Sequence, residues 1–388
     1  MRILNSLYYY RPHYSGLTVY TERLARHLSN RGHEVTVLTS RYDRNLPAIE
    51  QVDGVTVKRL SVLLKVSKGP IMPSLIYRAI RELRHVDILH LHVPQLDAAP
   101  LALLGRLFKV PVVLTYHCDL RLPDSFLNRI AGLLSELANR ISVALADVVV
   151  ANTRDYAEAS ETLSKVLHKV RVIPPPIEIP EPDAGREKEL RESLGIKPAQ
   201  ELVGMAARLA SEKGAEYLAE ALPVVLRRFP EARVLYVGQY EDVLGEEEYG
   251  QRLAPILERL GDHWTFLGIL DSQDLAAFFS MCDVTVLPSI NSTESFGMVQ
   301  VESMLCGTPV VASDLPGVRQ PTNATGMGMT VPPRDSEALA QAIIKVLEQP
   351  QAYSRSRAEI EARYAAEIIA DFYQDLFLEL QQREAQPA

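Results

Sequence analysis

Short runs that are apolar on both faces recur along the whole chain, each separated from the next by a turn and an amphipathic stretch. Asp87–His92, Val110–Thr115, Asp147–Asn152, Asp283–Leu287 and Val310–Ser313 are of this kind. A strand without a polar face needs cover on both sides, and parallel sheets flanked by helices supply it. Strand–helix alternation is the βαβ unit, so the chain is confined to the α/β class with doubly wound sheets. The first unit is complete by residue 39: a strand at Arg2–Ser6, a helix opened by Gly16 with Val19, Leu24, Ala25 and Leu28 at helical spacing, and a strand at Glu34–Thr39. Further strands are expected at 55–60, 87–92, 110–115, 147–152 and 169–173, with helices at 72–84, 125–146 and 154–164.

The alternation stops once, at PPPIEIPEPDAG, residues 174–185, where five prolines and a terminal glycine mark a linker. It then resumes with strands at 201–206, 233–238, 264–268, 283–287, 310–313 and 329–331, and ends in a helical tail at 354–382. The expected organisation is a domain at 1–173, a second at 186–353, and closing helices within 354–388. At 388 residues there is material for two cores. No apolar run reaches the ~18 residues of a membrane span, and the first twelve residues turn polar too soon for a signal peptide. Cys118, Cys282 and Cys306 are odd in number and far apart, which suits a reducing cytoplasm better than a disulfide framework.

Net charge is −8, unevenly spread: residues 1–175 hold 23 Lys+Arg against 15 Asp+Glu, and the remainder 18 against 34. A basic first half suits an anionic surface or acceptor; the alternative is two domains that solvate themselves differently. Within it, LLKVSKGPIMPSLIYRAIRELR mixes bulky apolar residues with Lys65, Lys68, Arg78, Arg81 and Arg84. That composition suits peripheral contact with an anionic membrane, at the inner face if the protein is cytoplasmic, or an ordinary amphipathic helix. An acidic chain without nucleic-acid motifs is not expected to bind nucleic acid.

Chemistry concentrates in Ser289–Ser313. A polar loop carries Glu294, a helix begins around Phe296-Gly297-Met298, and Glu302 follows Glu294 by eight residues. A helix start favours anions through its unpaired amides and dipole, here those of Gly297, Met298 and Val299. Carboxylates beside bound phosphate are better aimed at hydroxyls, so the stretch describes a nucleotide sugar. Arg208 and Lys213, in a glycine-bounded loop after a strand, offer the positive charge for a diphosphate. The chain contains no Asp-x-Asp pair of the kind that clamps a divalent metal, so metal-independent chemistry without a cofactor is expected. His92 and His117 fall at strand ends, where ligands gather in open α/β sheets; a histidine there serves as readily in a structural role.

ESFGMVQVESMLCGTPVVAS, residues 294–313, resembles the signature of the retaining family 4 glycosyltransferases. Residues 8–40 are similar to that family's first βα unit, AARLASEKG to its phosphate loop and WTFLG to its base-side strand; DLPGVRQ and TGMGMTVPPRD match its closing segments. The resemblance implies the GT-B fold: two Rossmann-like domains facing across a cleft, with the C-terminal helix crossing back to the first. It implies that Glu294 meets donor-sugar hydroxyls and Glu302 the ribose, and that Arg208 and Lys213 hold the diphosphate. The stretch Ser295, Phe296, Gly297, Met298 and Val299 would hold the sugar and distal phosphate, and Gly268, Ile269 and Leu270 the base. His117 would bond the sugar and stabilise an oxocarbenium-like transition state, and Gly16 would admit the diphosphate. A hexosyl group would pass with retention to an acceptor hydroxyl, lipid-linked or glycan. The chain departs from the family in having Ser15-Gly16 for a glycine pair and Ala207 before Arg208 for glycine. Other readings of this fold are a nucleotide-sugar epimerase, a sugar phosphorylase and a non-catalytic subunit of a polysaccharide assembly complex.

Overall fold

The computed structural model describes residues 1–66, 69–119, 126–243 and 245–385. They divide into two compact units, Met1–Pro176 together with the chain end from Ala365, and Ile177–Tyr364. In the first unit the strands are β1 (Arg2–Ser6), β2 (Glu34–Arg41), β3 (Ile49–Val52), β4 (Val55–Ser61), β5 (Leu64–Val66), β6 (Gly69–Ile71), β7 (Ile88–Val93), β8 (Val112–Tyr116), β9 (Val148–Ala151) and β10 (Val170–Val172). The helices are α1 (Gly16–Asn30), α2 (Leu75–Leu83), α3 (Ala98–Leu107), α4 (Phe126–Leu145) and α5 (Arg154–Ala159). One eight-stranded sheet runs β10-β9-β8-β7-β1-β2-β4-β3, parallel throughout except for β3 against β4. Strands β7, β8 and β9 are buried at every residue, as both-faced apolar runs require. Along β7 the side chains alternate, Leu89, Leu91 and Val93 joining the apolar core while His90 and His92 share the opposite face. Strand order reverses between β1 and β7, so their carboxyl ends frame the crevice of this unit.

In the first unit four elements go beyond the sequence expectation. Strand β3 pairs with β4 through Asp53-Gly54, both at positive φ (49° and 79°). This Asp-Gly turn between alternating residues is a strong hairpin signal that the sequence carries openly. Strands β5 and β6 form a separate hairpin inside the stretch read as a basic amphipathic loop, and Lys68 lies outside the described residues. Helix α3 has no side-chain cap, which removes the usual marker of a helix start.

The second unit holds α6 (Ala184–Ser193), β11 (Leu202–Ala206), α7 (Ala215–Arg228), β12 (Arg233–Val237), α8 (Glu247–Leu260), β13 (Trp264–Gly268), α9 (Ser272–Met281) and β14 (Val284–Leu287). It continues with α10 (Met298–Leu305), β15 (Val310–Ser313), α11 (Arg319–Thr325), β16 (Gly328–Val331), α12 (Ser336–Glu348) and α13 (Arg357–Tyr364). Its sheet is parallel in the order β13-β12-β11-β14-β15-β16, reversing between β11 and β14. The proline-rich segment is a free connection for less of its length than its composition suggests. Ile177 and Ile179 are 2% and 5% exposed in the second core, and Arg357 Nη2 donates to Ile179 O at 2.7 Å.

The chain end is likewise shared differently from the expected 354–388 block. Helix α13 stays with the second unit, packed on α10 through Ile360 and Tyr364. Only α14 (Ala366–Ala385) joins the first, where Tyr373 OH meets Tyr20 OH at 2.7 Å and Arg31 pairs with Asp371 at 2.7 Å.

Candidate active site

In the second unit the reversal point is built by two loops, one after β11 and one after β14. Gly214 lets them meet. Its φ is +71°, and a Cβ there would sit 2.2 Å from Pro288 O. Ile290 N donates to Glu212 O at 3.1 Å, a second tie between the loops. Lys213 Nζ lies 2.5 Å from Glu294 Oε2 and Arg208 Nη2 lies 2.5 Å from Glu212 Oε1. Burial by itself pushes the Glu212 carboxyl up, but the Arg208 charge, a backbone N–H and the Lys213 charge outweigh it and hold that carboxyl below its ordinary range. The two expected diphosphate ligands are therefore each paired with a carboxylate.

Gly297, at φ 78° and ψ 69°, starts α10 without any side-chain cap. A Cβ there would lie 2.3 Å from Leu287 Cδ2, so only glycine turns the chain so close to the end of β14. The first amides of α10 have no acceptor within the helix and remain an anion site in the making. The turn is held by Gln300, wholly buried, whose Nε2 donates to Phe296 O (2.8 Å) and Val318 O (2.9 Å) and whose Oε1 accepts from Thr322 Oγ1 (2.9 Å). Phe296 and Ser295 are buried, Met298 and Val299 partly so, and Glu302 is 9% exposed within α10. Gly268 closes β13, its carbonyl accepting from Gly238 N at 2.7 Å, while Ile269 stands 76% exposed and Leu270 half-buried beside it. Among the described residues no group of three or more His, Cys, Asp or Glu is arranged to hold a metal.

In the first unit Gly16 is the exposed first residue of α1, and Ser15, which stands where the family has glycine, is its N-cap: Thr18 N donates to Ser15 Oγ at 3.2 Å. His117 follows β8 and extends its ladder, its N–H donating to Val93 O at 3.0 Å. It does not stand alone. His117 Nε2 is 3.0 Å from His92 Nδ1, the rings lie 5.3 Å apart and stacked, and Tyr20 meets the His117 ring edge-on at 4.8 Å. Behind them His90 Nε2 bonds Thr115 Oγ1, which bonds Tyr373 OH. Burial lowers the His117 pKa to about 3, and that of His90 likewise.

Two family models match in tandem. The model described as Glycosyltransferase Family 4 covers residues 14–180, and the one described as Glycosyl transferases group 1 covers 186–363. The chain belongs to the family 4 glycosyltransferases. It is an enzyme of that class with the GT-B architecture. A family relative, the D-inositol 3-phosphate glycosyltransferase of Jonesia denitrificans, is 29% identical over 341 residues, 82% of this chain and 79% of its own. The phosphatidyl-myo-inositol mannosyltransferase of Mycobacterium leprae is 38% identical over 161 residues, 41% of each chain. Among solved structures, HepE of Anabaena in complex with UDP has a TM-score of 0.78 at 22% identity, covering 98% of this chain and 100% of its own.

Of the expected site residues, the structure brings together Arg208, Lys213 and Glu294 in the second unit, and His117 with His92 in the first. Gln300 and His90 were not anticipated. A lone amide in the apolar run of α10 was the available signal for Gln300, and histidines two apart on a strand, hence on one face, were the signal for His90.

Proposed function

We propose that the protein is a retaining, metal-independent hexosyltransferase that takes its sugar from a nucleoside diphosphate. The observation that carries this is the pair of cation–carboxylate contacts at the β11/β14 reversal, next to the uncapped start of α10. An incoming diphosphate takes over Lys213 and Arg208, and the displaced Glu294 turns to accept hydrogen bonds from the sugar hydroxyls. As the bond to the sugar breaks, charge grows on the departing phosphate, where Lys213, Arg208 and the α10 amides stabilise it more than in the ground state. The departing diphosphate receives the acceptor proton, so no nucleophilic carboxylate is called for. His117, kept neutral by burial, accepts from a sugar hydroxyl and places no cation beside the developing oxocarbenium. Glu302 holds the ribose, and the Gly268–Leu270 turn the base.

A thermal-shift panel of UDP-, GDP- and ADP-sugars tests the donor. The matching donor at about 100 times its Kd adds about 2.7 kcal/mol to stability; a flat response to all three, with no turnover, would sink the reading. HepE has been crystallised with UDP-glucose, which puts that donor first. Dependence on an acceptor hydroxyl separates transfer from epimerisation, and indifference to inorganic phosphate separates it from phosphorolysis.

The relatives named for D-inositol 3-phosphate and phosphatidyl-myo-inositol favour an anionic acceptor, met by the basic first unit. Peripheral contact with the inner face of a membrane, in a cytoplasmic setting, belongs to the same reading. Leu63, Leu64, Ile71, Ile76 and Tyr77 are exposed on the β5–β6 hairpin and α2, among exposed Lys65, Arg78 and Arg81. Among the described residues no helix is long and apolar enough to cross a membrane. Replacing Lys65 and Arg78 by glutamine is expected to reduce partition onto anionic liposomes; unchanged partition speaks against the contact.

A further inference from the structure

We propose that Asn5 and His92 are positioning residues that hold His117 in one tautomer, with its proton on Nε2, so that Nδ1 offers a bare lone pair to a substrate hydroxyl. Hydrogen-bond polarity within the first unit sets the direction of the chain. Asn5, on β1, is 2% exposed, and His92, on β7, is wholly buried. Asn5 Oδ1 lies 3.3 Å from His92 Nε2. An amide oxygen only accepts, so His92 Nε2 carries the hydrogen. A neutral imidazole has one N–H, which leaves His92 Nδ1 as an acceptor. His117 Nε2, 3.0 Å from that atom, is then the donor. Thr21 Oγ1 stands 3.4 Å from His92 Nδ1 but gives its hydrogen to Leu17 O at 2.9 Å, so it leaves the direction of the chain unchanged.

The relay thus runs from His117 Nε2–H to His92 Nδ1, and from His92 Nε2–H to Asn5 Oδ1. It ends with His117 Nδ1 unprotonated. The second nitrogen of His117 has no hydrogen-bond partner among the described residues, and the residue as a whole is partly exposed. The Tyr20 ring, at 87° to the imidazole, keeps its plane from turning. Burial holds all three histidines well below their ordinary pKa, so the neutral forms of the relay persist at neutral pH.

What the lone pair does rests on the transferase reading. An acceptor nitrogen can take a sugar hydroxyl hydrogen and presents negative density to an oxocarbenium-like sugar, whereas an N–H in the same place would do neither. The tautomer itself rests only on the contacts of the first unit.

The test is nitrogen NMR on the full chain labelled with [15N]histidine, using long-range proton–nitrogen correlations, with the His117 signals assigned by their loss in His117→Asn. The wild type is expected to show His117 with a protonated Nε2 and a bare Nδ1. Asn5→Leu removes the terminal acceptor, so His117 should populate both tautomers, and kcat should fall about 10- to 100-fold with donor KM little changed, as for other residues that orient a functional histidine. Asn5→Asp places a carboxylate against His92 and charges it; His92 then donates from Nδ1, and His117 should invert to the Nδ1-protonated form. A wild-type His117 protonated on Nδ1, or Asn5 variants that leave its tautomer unaltered, would overturn the proposal. The spectra need no substrate, so a chain with the expected tautomer but no turnover would refute the transferase reading alone.

Discussion

Lys213→Ala is expected to lower kcat/KM about 10²- to 10³-fold, the loss typical of removing one preorganised group that meets developing charge. Two effects act together. The leaving diphosphate loses a cation, and Glu294, now without its partner at 2.5 Å, faces the phosphate with its own negative charge. Both side chains of the pair keep some contact with water, at 21% and 17% exposure, so the cost to folding should stay at about 1 kcal/mol, well short of a fully buried pair. Glu294→Gln should cut turnover strongly as well, because a neutral amide is a weaker acceptor for sugar hydroxyls. Since the two residues touch, their effects should not add. The double variant should bind nucleotide better than Lys213→Ala alone, with no recovery of turnover. Steady-state kinetics and thermal shifts on the three variants read all of this. Near-wild-type turnover in both single variants would remove the proposed chemistry.

Gly214→Val should be strongly damaging to the second unit. Valine at φ +71° is strained by about 1–3 kcal/mol. Its Cβ would also stand 2.2 Å from Pro288 O, a backbone atom that cannot swing away. The loops after β11 and β14 must part, taking Lys213 away from Glu294. A loss of about 3 kcal/mol or more in urea unfolding is expected, with activity lost in whatever stays folded. Gly250→Ala is the control. It lies in α8 at an ordinary φ, with nothing within 4 Å of the added Cβ, and should leave stability equal or raise it by about 0.5–1 kcal/mol. Equal stability of the two variants would mean that the close approach at Gly214 is not required.

The fold was largely legible because its signals are local. Buried runs such as Val148–Ala151, glycines just past helix ends such as Gly261 after α8 and Gly326 after α11, and Asp271 as the cap of α9, whose Oδ1 accepts from Gln273 N and Asp274 N at 2.9 Å, act over a few residues. Where the reading fell short, the deciding contact was distant. The prolines around Ile177 and Ile179 mark a linker by composition, yet both isoleucines are buried by a core that other elements complete. Helix α13 follows the same rule, held in the second unit by Ile360 and Tyr364.

For the site, the residue types and their order along the chain were already informative. Arg208, Lys213, Glu294, Glu302 and the start of α10 could be named as donor-binding groups from their sequence motifs. Which of them touch was not there to be read. Lys213 and Glu294 are 81 residues apart, and only the reversal of strand order between β11 and β14 brings their loops together. His92 and His117 read as separate histidines at strand ends, and packing joined them to each other and to His90, with Asn5 of β1 behind His92. The amino-acid sequence by itself determined the class of fold, the family and the chemical inventory, because periodicity, turns and motifs are short-range properties of the chain. Only the tertiary structure decided the pairings, the burial that keeps the histidines neutral and the direction of their hydrogen bonds, because those depend on which distant backbones come within a few ångströms of each other.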